Sequence, residues 1–167
     1  MPESAFILRQ HEPDDIGWVI RRHGEIYTEE YGWDSRFRDL VEKIALDFIR
    51  DFDPSFERCW IAERSGERIG CVFLVRKTYD IAQLRLLLVE PSARGLGVGR
   101  KLVQECIDFA SAHGYSKVRL WTNDVLLSAR RIYEAAGFTL IEEEEHSSWG
   151  KPLKSQTWEV QLDLAPR

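Results

Sequence analysis

Gly95, Gly97 and Gly99 stand at every second position in the run Arg94-Gly-Leu-Gly-Val-Gly-Arg100, and Lys101 follows directly. These residue types suit an anion. Glycine lets the backbone take positive φ and approach a ligand closely, and the cations bring charge. A nearly unbroken apolar stretch (Leu84, Leu86, Leu87, Leu88, Val89) and then Glu90-Pro91 precede the run. After it, Val98, Leu102, Val103 and Ile107 recur at helical spacing. The spacing predicts a buried strand, a tight turn and a helix start. The free N–H groups of a first helical turn and the helix dipole both favour negative charge there. A Walker-type loop is excluded, because no Lys-Ser/Thr pair follows. A dinucleotide fingerprint needs GxGxxG, which alternate glycines do not supply.

A second set of residues with chemical capacity lies downstream: Trp121-Thr122-Asn123-Asp124, then Ser128, then Ile132-Tyr133-Glu134-Ala135-Ala136-Gly137-Phe138. Together the two blocks resemble the GNAT superfamily of N-acetyltransferases. Arg-x-x-Gly-x-Gly straight after a strand ending Val-Glu-Pro resembles its acetyl-CoA loop. The strand, Asn, short helix with a Tyr, and Gly-Phe resemble its second block. The motifs cover about Ile61 to Phe138, and the rest of the chain matches by element order.

The resemblance implies acetyl-CoA as co-substrate and no metal. The backbone of Leu87, Leu88 and Val89 would hold the extended amide arm by sheet-like hydrogen bonds. One N–H there would also stabilise the acetyl oxyanion. The diphosphate would sit on the N–H groups of Gly95, Leu96, Gly97, Val98, Gly99 and Arg100, with Arg94 and Arg100 adding charge. Asn123 and Ser128, at the start of the short helix, would meet the pantetheine arm. Tyr133 would be the general acid that protonates the leaving thiolate. Phenol and thiol differ by about 1.5 pKa units, an uphill transfer of roughly 2 kcal/mol. The first two helices and the last hairpin would border the acceptor, which nominates Tyr27, Tyr31, Trp33 and Trp149 as aromatic walls.

The general base stays open. Some members of the family carry a Glu on the central strand where this chain has Gln83, with Arg85 nearby. Glu25, Glu29 and Glu30 on the first helix and His146 near the last hairpin are the remaining side chains. A water chain, or an amine arriving neutral, is the alternative. Gly24–Trp33, WTND and the closing hairpin are also similar to acetyltransferase domains fused behind a MarR-type winged helix. No such module precedes the first strand, so a DNA-binding role is not expected to carry over.

The function expected is therefore transfer of acetyl from acetyl-CoA to a primary amine of a small molecule or peptide, by direct attack in a ternary complex. The alternative is a non-catalytic acyl-CoA sensor that keeps the loop but not turnover. A third reading is a partner-binding module that uses the aromatic N-terminal face, which would need a large exposed apolar patch.

These residues need positioning elements. Ala5–Arg9 predicts a strand. A helix follows Pro13, with Ile16, Ile20, His23, Tyr27 and Tyr31 on one face, weakened at Gly24 and ended by Gly32. Asp34 or Ser35 caps a second helix carrying Phe37, Leu40, Val41, Ile44 and Phe48. Cys59–Ala62 and Ile69–Val75 read as a hairpin ahead of the central strand. The helix after the glycines ends at Ala112 or His113, and Val118–Thr122 is a strand. Leu126 to Ala136 is a short helix. Thr139–Ser148 and Gln156–Leu164 are two final strands joined by a loop through Trp149. This order predicts an α/β layered fold, a mixed central sheet of about seven strands with about four helices.

At 167 residues, with 44% apolar and 31% charged residues, the chain reads as one domain, 1–167, of a soluble globular protein. A net charge of −5 argues against broad nucleic-acid binding. No stretch reads as a membrane span or secretory leader. Cys59, Cys71 and Cys106 read as reduced core thiols of a cytoplasmic protein. No cluster has metal-ligand spacing. A homodimer is the assembly to look for.

Overall fold

The computed structural model describes residues 5–162; the N-terminal residues read above for a leader and the far end of the last predicted strand lie outside the described residues. The order is β1 (Ile7–Gln10), α1 (Pro13–Tyr31), α2 (Ser35–Asp51), β2 (Arg58–Arg64), β3 (Glu67–Arg76), β4 (Ile81–Val89) and a 3-10 turn (Pro91–Ala93). Then come α3 (Val98–Ala112), β5 (Lys117–Asn123), α4 (Leu127–Ala135), β6 (Thr139–His146) and β7 (Leu153–Gln161). The seven strands form one sheet in the order β1-β2-β3-β4-β5-β7-β6. Only β4 and β5 run parallel, because α3 makes the crossover between them. The expected mixed sheet with four helices is the observed architecture. No helix among the described residues is long and apolar enough to cross a membrane.

Each face of the sheet carries its own core. Val19, Ile20, Ile26, Val41, Ala45 and Phe48 of α1 and α2 pack on Ile61, Cys71 and Phe73. On the other face Leu102, Val103, Cys106 and Tyr133 of α3 and α4 pack on Val72, Leu74, Leu84 and Leu120. All three cysteines are buried and free. Helix α1 runs unbroken through Gly24, the position expected to weaken it. The missing side chain there admits α2, since a Cβ would lie 2.8 Å from Arg38 Cδ.

Strand β4 changes phase midway. Cys71 pairs with Leu88 and Phe73 with Arg85, so Val72 alone faces both Leu86 and Leu87. Two residues against one is a β-bulge, and Leu86 sits at φ +54° within it. The side chains exchange faces across it. Leu84 packs on the α3 side, whereas Leu86 and Leu88 pack on the α1–α2 side. Cys71 Sγ donates to the Leu86 carbonyl at 3.3 Å, which helps hold the bulge.

The start of α1 is fixed to the sheet by one carboxylate. Asp15, 1% exposed, accepts from Arg9 (2.8 and 3.0 Å), Arg68 (2.7 Å) and the Glu12 amide (2.6 Å). These donors hold its pKa well below the usual carboxylate value, against the opposing cost of burial. A depressed pKa contributes stability above the unfolded value, near pH 4, and loses it as pH falls toward the native value. Asp15→Asn is expected to cost about 2–4 kcal/mol at pH 7, read as a lower urea midpoint. The gap between wild type and variant should narrow below about pH 4. A gap constant from pH 7 to pH 2 would overturn the assignment.

Candidate active site

The parallel pairing of β4 and β5 stops at Leu84↔Leu120. Beyond that point the strands separate, and one side of β4 is left without a ladder. The Glu90 amide donates to the Ile69 carbonyl of the opposite neighbour at 2.8 Å. Antiparallel alternation then turns the backbone of Leu88 toward β3 and that of Leu87 and Val89 toward the gap. An extended amide chain lying there would find free donors and acceptors of β-strand spacing. Of the three residues nominated by sequence, Leu87 and Val89 therefore present their backbone groups, and Leu88 presents a buried side chain.

The glycine turn closes one end of this gap. Gly95 and Gly97 take φ of +86° and +82°, the left-handed region that favours glycine. Gly97 is the N-cap of α3. None of the N–H groups from Gly95 to Arg100 has an acceptor among the described residues. Gly99 serves packing instead, because a Cβ there would sit 2.7 Å from Ile132 Cδ1 of α4. Leu96 turns inward against the core. Two ion pairs lock the surroundings to α1. Arg22 grips both Glu90 oxygens at 2.7 Å, and Arg94 grips both Glu30 oxygens at 2.9 and 2.7 Å. Arg94 thus arrives already paired, whereas Arg100 is exposed and makes no ion pair among the described residues.

Two cavities meet along Tyr27, Leu87, Leu126 and Ala129. The smaller, about 270 Å³, is lined by Leu87–Val89, the glycine turn, Arg94, Arg100, Ser128 and Tyr31. The larger, about 500 Å³, lies over the α1–α2 side of the sheet and holds Tyr133, Asn123 and Trp33 in its walls. Tyr133 is 4% exposed. Its hydroxyl makes no hydrogen bond among the described residues, and burial pushes the phenol above its ordinary pKa. Tyr27 beside it is pushed up for the same reason. Both phenols stay protonated through the neutral range.

Asn123 is oriented by His146. His146 Nε2 lies 2.7 Å from Asn123 Oδ1, and the Ser148 amide donates to His146 Nδ1 at 3.2 Å. A neutral imidazole cannot accept at both nitrogens, so Nε2–H must donate to the Asn123 oxygen. That leaves the Asn123 amide hydrogens for the cavity and no free lone pair on His146. Nominated above as a base, His146 instead holds Asn123 in place. His23, given no sequence role, lies under the bulge with Nδ1 2.7 Å from the Val19 carbonyl. Burial lowers its pKa to about 4, so it is neutral.

Glu29, His146 and Trp149 line neither cavity. Glu29 is exposed on the outer side of α1, and Glu25 pairs with Arg21 and Arg22. Trp149, 3% exposed, packs tilted against Trp33 with ring centroids 4.6 Å apart and braces it from behind. The aromatics of the first two helices pack on one another, with Trp33 1% exposed. They form an internal cluster and not the exposed face that a partner-binding module would need. Gln83 and Arg85, named from sequence only where a base was absent, and Arg119 and Glu142, given no role there, all face the larger cavity. Gln83 and Arg85 on β4 and Arg119 on β5 carried a signal as alternating polar positions, but the β4 bulge hid which face Gln83 and Arg85 served, and Glu142 lay unmarked in the acidic run of β6. Among the described residues no group of three or more His, Cys, Asp or Glu could hold a metal.

The family model described as acetyltransferase (GNAT) family matches residues 18–138. An uncharacterised N-acetyltransferase of Schizosaccharomyces pombe is 32% identical over 146 residues, covering 86% of each chain. The chain spans only 52% and 49% of two other curated relatives. Among solved structures, the yncA protein of Salmonella typhimurium with its cofactor acetyl-CoA superposes with a TM-score of 0.76. It is 17% identical, covering 98% of this chain and 97% of that one. Spermidine N-acetyltransferase from Vibrio cholerae, in complex with CoA and spermine, gives 0.70 at 21% identity, covering 95% and 96%. At these identities the two structures share the fold alone.

Proposed function

The chain belongs to the acetyltransferase (GNAT) family, and from that premise we propose that it transfers the acetyl group of acetyl-CoA to a primary amine of a small molecule or peptide. One observation carries the reading. A turn of unpaired N–H groups leads along an open strand edge to the unpartnered hydroxyl of Tyr133. That arrangement fits a diphosphate, an extended amide arm and a leaving thiol, in that order.

Acetyl-CoA supplies an acyl group activated as a thioester. The amides from Gly95 to Arg100 and the Arg100 guanidinium bind the diphosphate. Arg94 joins them by exchanging Glu30 for a phosphate oxygen. Leu87 and Val89 hold the arm, and one of their N–H groups stabilises charge developing on the acetyl oxygen. The Asn123 amide, held by His146, donates to the arm from the facing strand. Tyr133 gives its proton to the sulfur as the C–S bond breaks.

Proton removal from the acceptor falls to no side chain at the gap. Gln83 and Arg85 cannot accept a proton at neutral pH, and His23, which lines the same cavity, is lowered by burial to about 4 and is too weak a base for an amine. Glu142 is the one carboxylate lining the larger cavity, but it stands on β6, three strand steps from β4. At strand spacing that is about 14 Å, beyond hydrogen-bond reach. Cavity water therefore takes the proton. Purified protein given acetyl-CoA and a broad panel of amines should release free thiol and N-acetyl product in equal amounts. Its kcat/KM should rise with pH toward the acceptor's own pKa. No thiol release from any amine would remove the transferase reading. The absence of a carboxylate at the gap would then favour the acyl-CoA sensor.

A further inference from the structure

The larger cavity has a cationic floor. Gln83 and Arg85 of β4 and Arg119 of β5 point from the sheet into the space below α2. Arg119 is neutralised, donating to Glu159 at 2.8 and 2.6 Å. Arg85 is not. It is half-buried, faces the apolar side chains of Leu40, Val41 and Ile44, and has neither an ion pair nor a hydrogen bond among the described residues. The α2 acid whose charge reaches it, Asp47, is occupied by Lys43 and Arg50 at 2.7 and 3.2 Å. Burial correspondingly lowers the Arg85 pKa, and arginine remains charged regardless. Lys77 at the mouth also lacks an ion pair among the described residues. The one acid in the lining, Glu142, lies at the far rim.

A desolvated cation without a partner is costly in a fold unless something arrives to pair with it. We infer that the acceptor carries a carboxylate beside its amine, and that Arg85 binds this carboxylate as a bidentate fork. This rests on the transferase reading above and names the substrate class for that site. A single guanidinium flanked by a neutral Gln83 matches a monoanion, and Lys77 draws it inward. Trp33, Phe37, Leu40, Ile44 and Trp121 give much of the remaining wall an apolar or aromatic surface. At about 500 Å³ the space takes a molecule of amino-acid size with an apolar side chain. A polyamine would meet Arg85 and Lys77 as like charges. Arg85 acts as a specificity residue at the acceptor and not as a base.

The test compares three matched acceptors: L-phenylalanine, its amide, and phenethylamine. Wild type should favour the acid over either partner by about 100-fold in kcat/KM, through KM. Arg85→Gln should bring that ratio close to one, and Arg85→Lys should restore part of it. An unchanged ratio in Arg85→Gln, or a wild-type preference for the amide or amine, would overturn the inference. A binding arm decides the matter even if turnover fails. Calorimetry with coenzyme A present would compare N-acetyl-L-phenylalanine with N-acetylphenethylamine. Tighter binding of the acid that disappears in Arg85→Gln supports the carboxylate site; equal affinity, or no binding of the acid, refutes it. Loss of thiol release with every acceptor, alongside intact acid selectivity in binding, would refute the transferase reading alone.

Discussion

Gly97→Asp is expected to weaken coenzyme A binding by about 1,000-fold, or roughly 4 kcal/mol, while the protein stays folded. The two effects separate because of where Gly97 sits. Its φ of +82° strains any side chain, but a Cβ there would meet nothing within 4 Å. Strain in the left-handed region costs about 1 kcal/mol, less for Asp than for most residues. In a chain of this size that shifts Tm by about 2–4 °C. The remaining loss is electrostatic. Gly97 caps α3, so a carboxylate at this position competes for the same free N–H groups that would receive a diphosphate, and repels its charge. Gly97→Ala carries the strain without the charge and should lose about tenfold or less. Calorimetric titration of coenzyme A into the three proteins reads both effects. Affinity for Gly97→Asp within threefold of wild type would mean that the diphosphate lies elsewhere.

How much of this site could be read from the chain depends on the range of the forces that make it. The glycine turn is local: glycine spacing, a preceding apolar run and a following helical period all lie within about twenty residues, and the structure has strand, turn and helix there. The short helix bearing Tyr133 is equally local. The bulge at Leu86 is not. It arises from a register mismatch with β3, and the consecutive apolar residues Leu86 to Val89 carry no alternation to reveal it. Because the phase of β4 was hidden, Gln83 and Arg85 registered only as residues that could not act as a base. Their placement on the floor of the larger cavity beside Arg119 needed the sheet order, which sets β5 next to β4.

The same limit governed the distant pairs. Asn123 and His146 are 23 positions apart, and only the β5–β7–β6 adjacency brings them within 2.7 Å. Trp149 was expected in the acceptor wall with Trp33. It stands one layer behind, because the Asp34 amide donates to the Trp149 carbonyl at 3.1 Å and docks the hairpin on the start of α2. The acidic run Glu142–Glu145 lies on the edge strand β6, and every one of its residues is exposed.

Tyr133→Phe should lower kcat by about 100-fold or more while leaving acetyl-CoA affinity within about threefold. The ring packs against Phe138 at 5.8 Å and belongs to the α3–α4 core. Phe keeps that packing, and no hydrogen bond to the protein is lost. A structural role would therefore leave turnover unaffected. An acid role predicts loss within the range usual for removing a proton donor, 10²–10⁴. Burial raises the phenol pKa, which alone would make it a poorer donor. The same apolar surroundings disfavour a departing thiolate, raising the affinity of the sulfur for a proton as well. What matters is the difference between the two, and that stays near the roughly 2 kcal/mol expected from the unperturbed groups. Because the acid form persists below the raised pKa, wild type should show no alkaline loss of kcat from this group up to about pH 10. Turnover unchanged in Tyr133→Phe would assign Tyr133 to the packing of α4. Near-zero turnover in both proteins, with tight coenzyme A binding, would instead identify a sensor that has kept the cradle and lost the reaction.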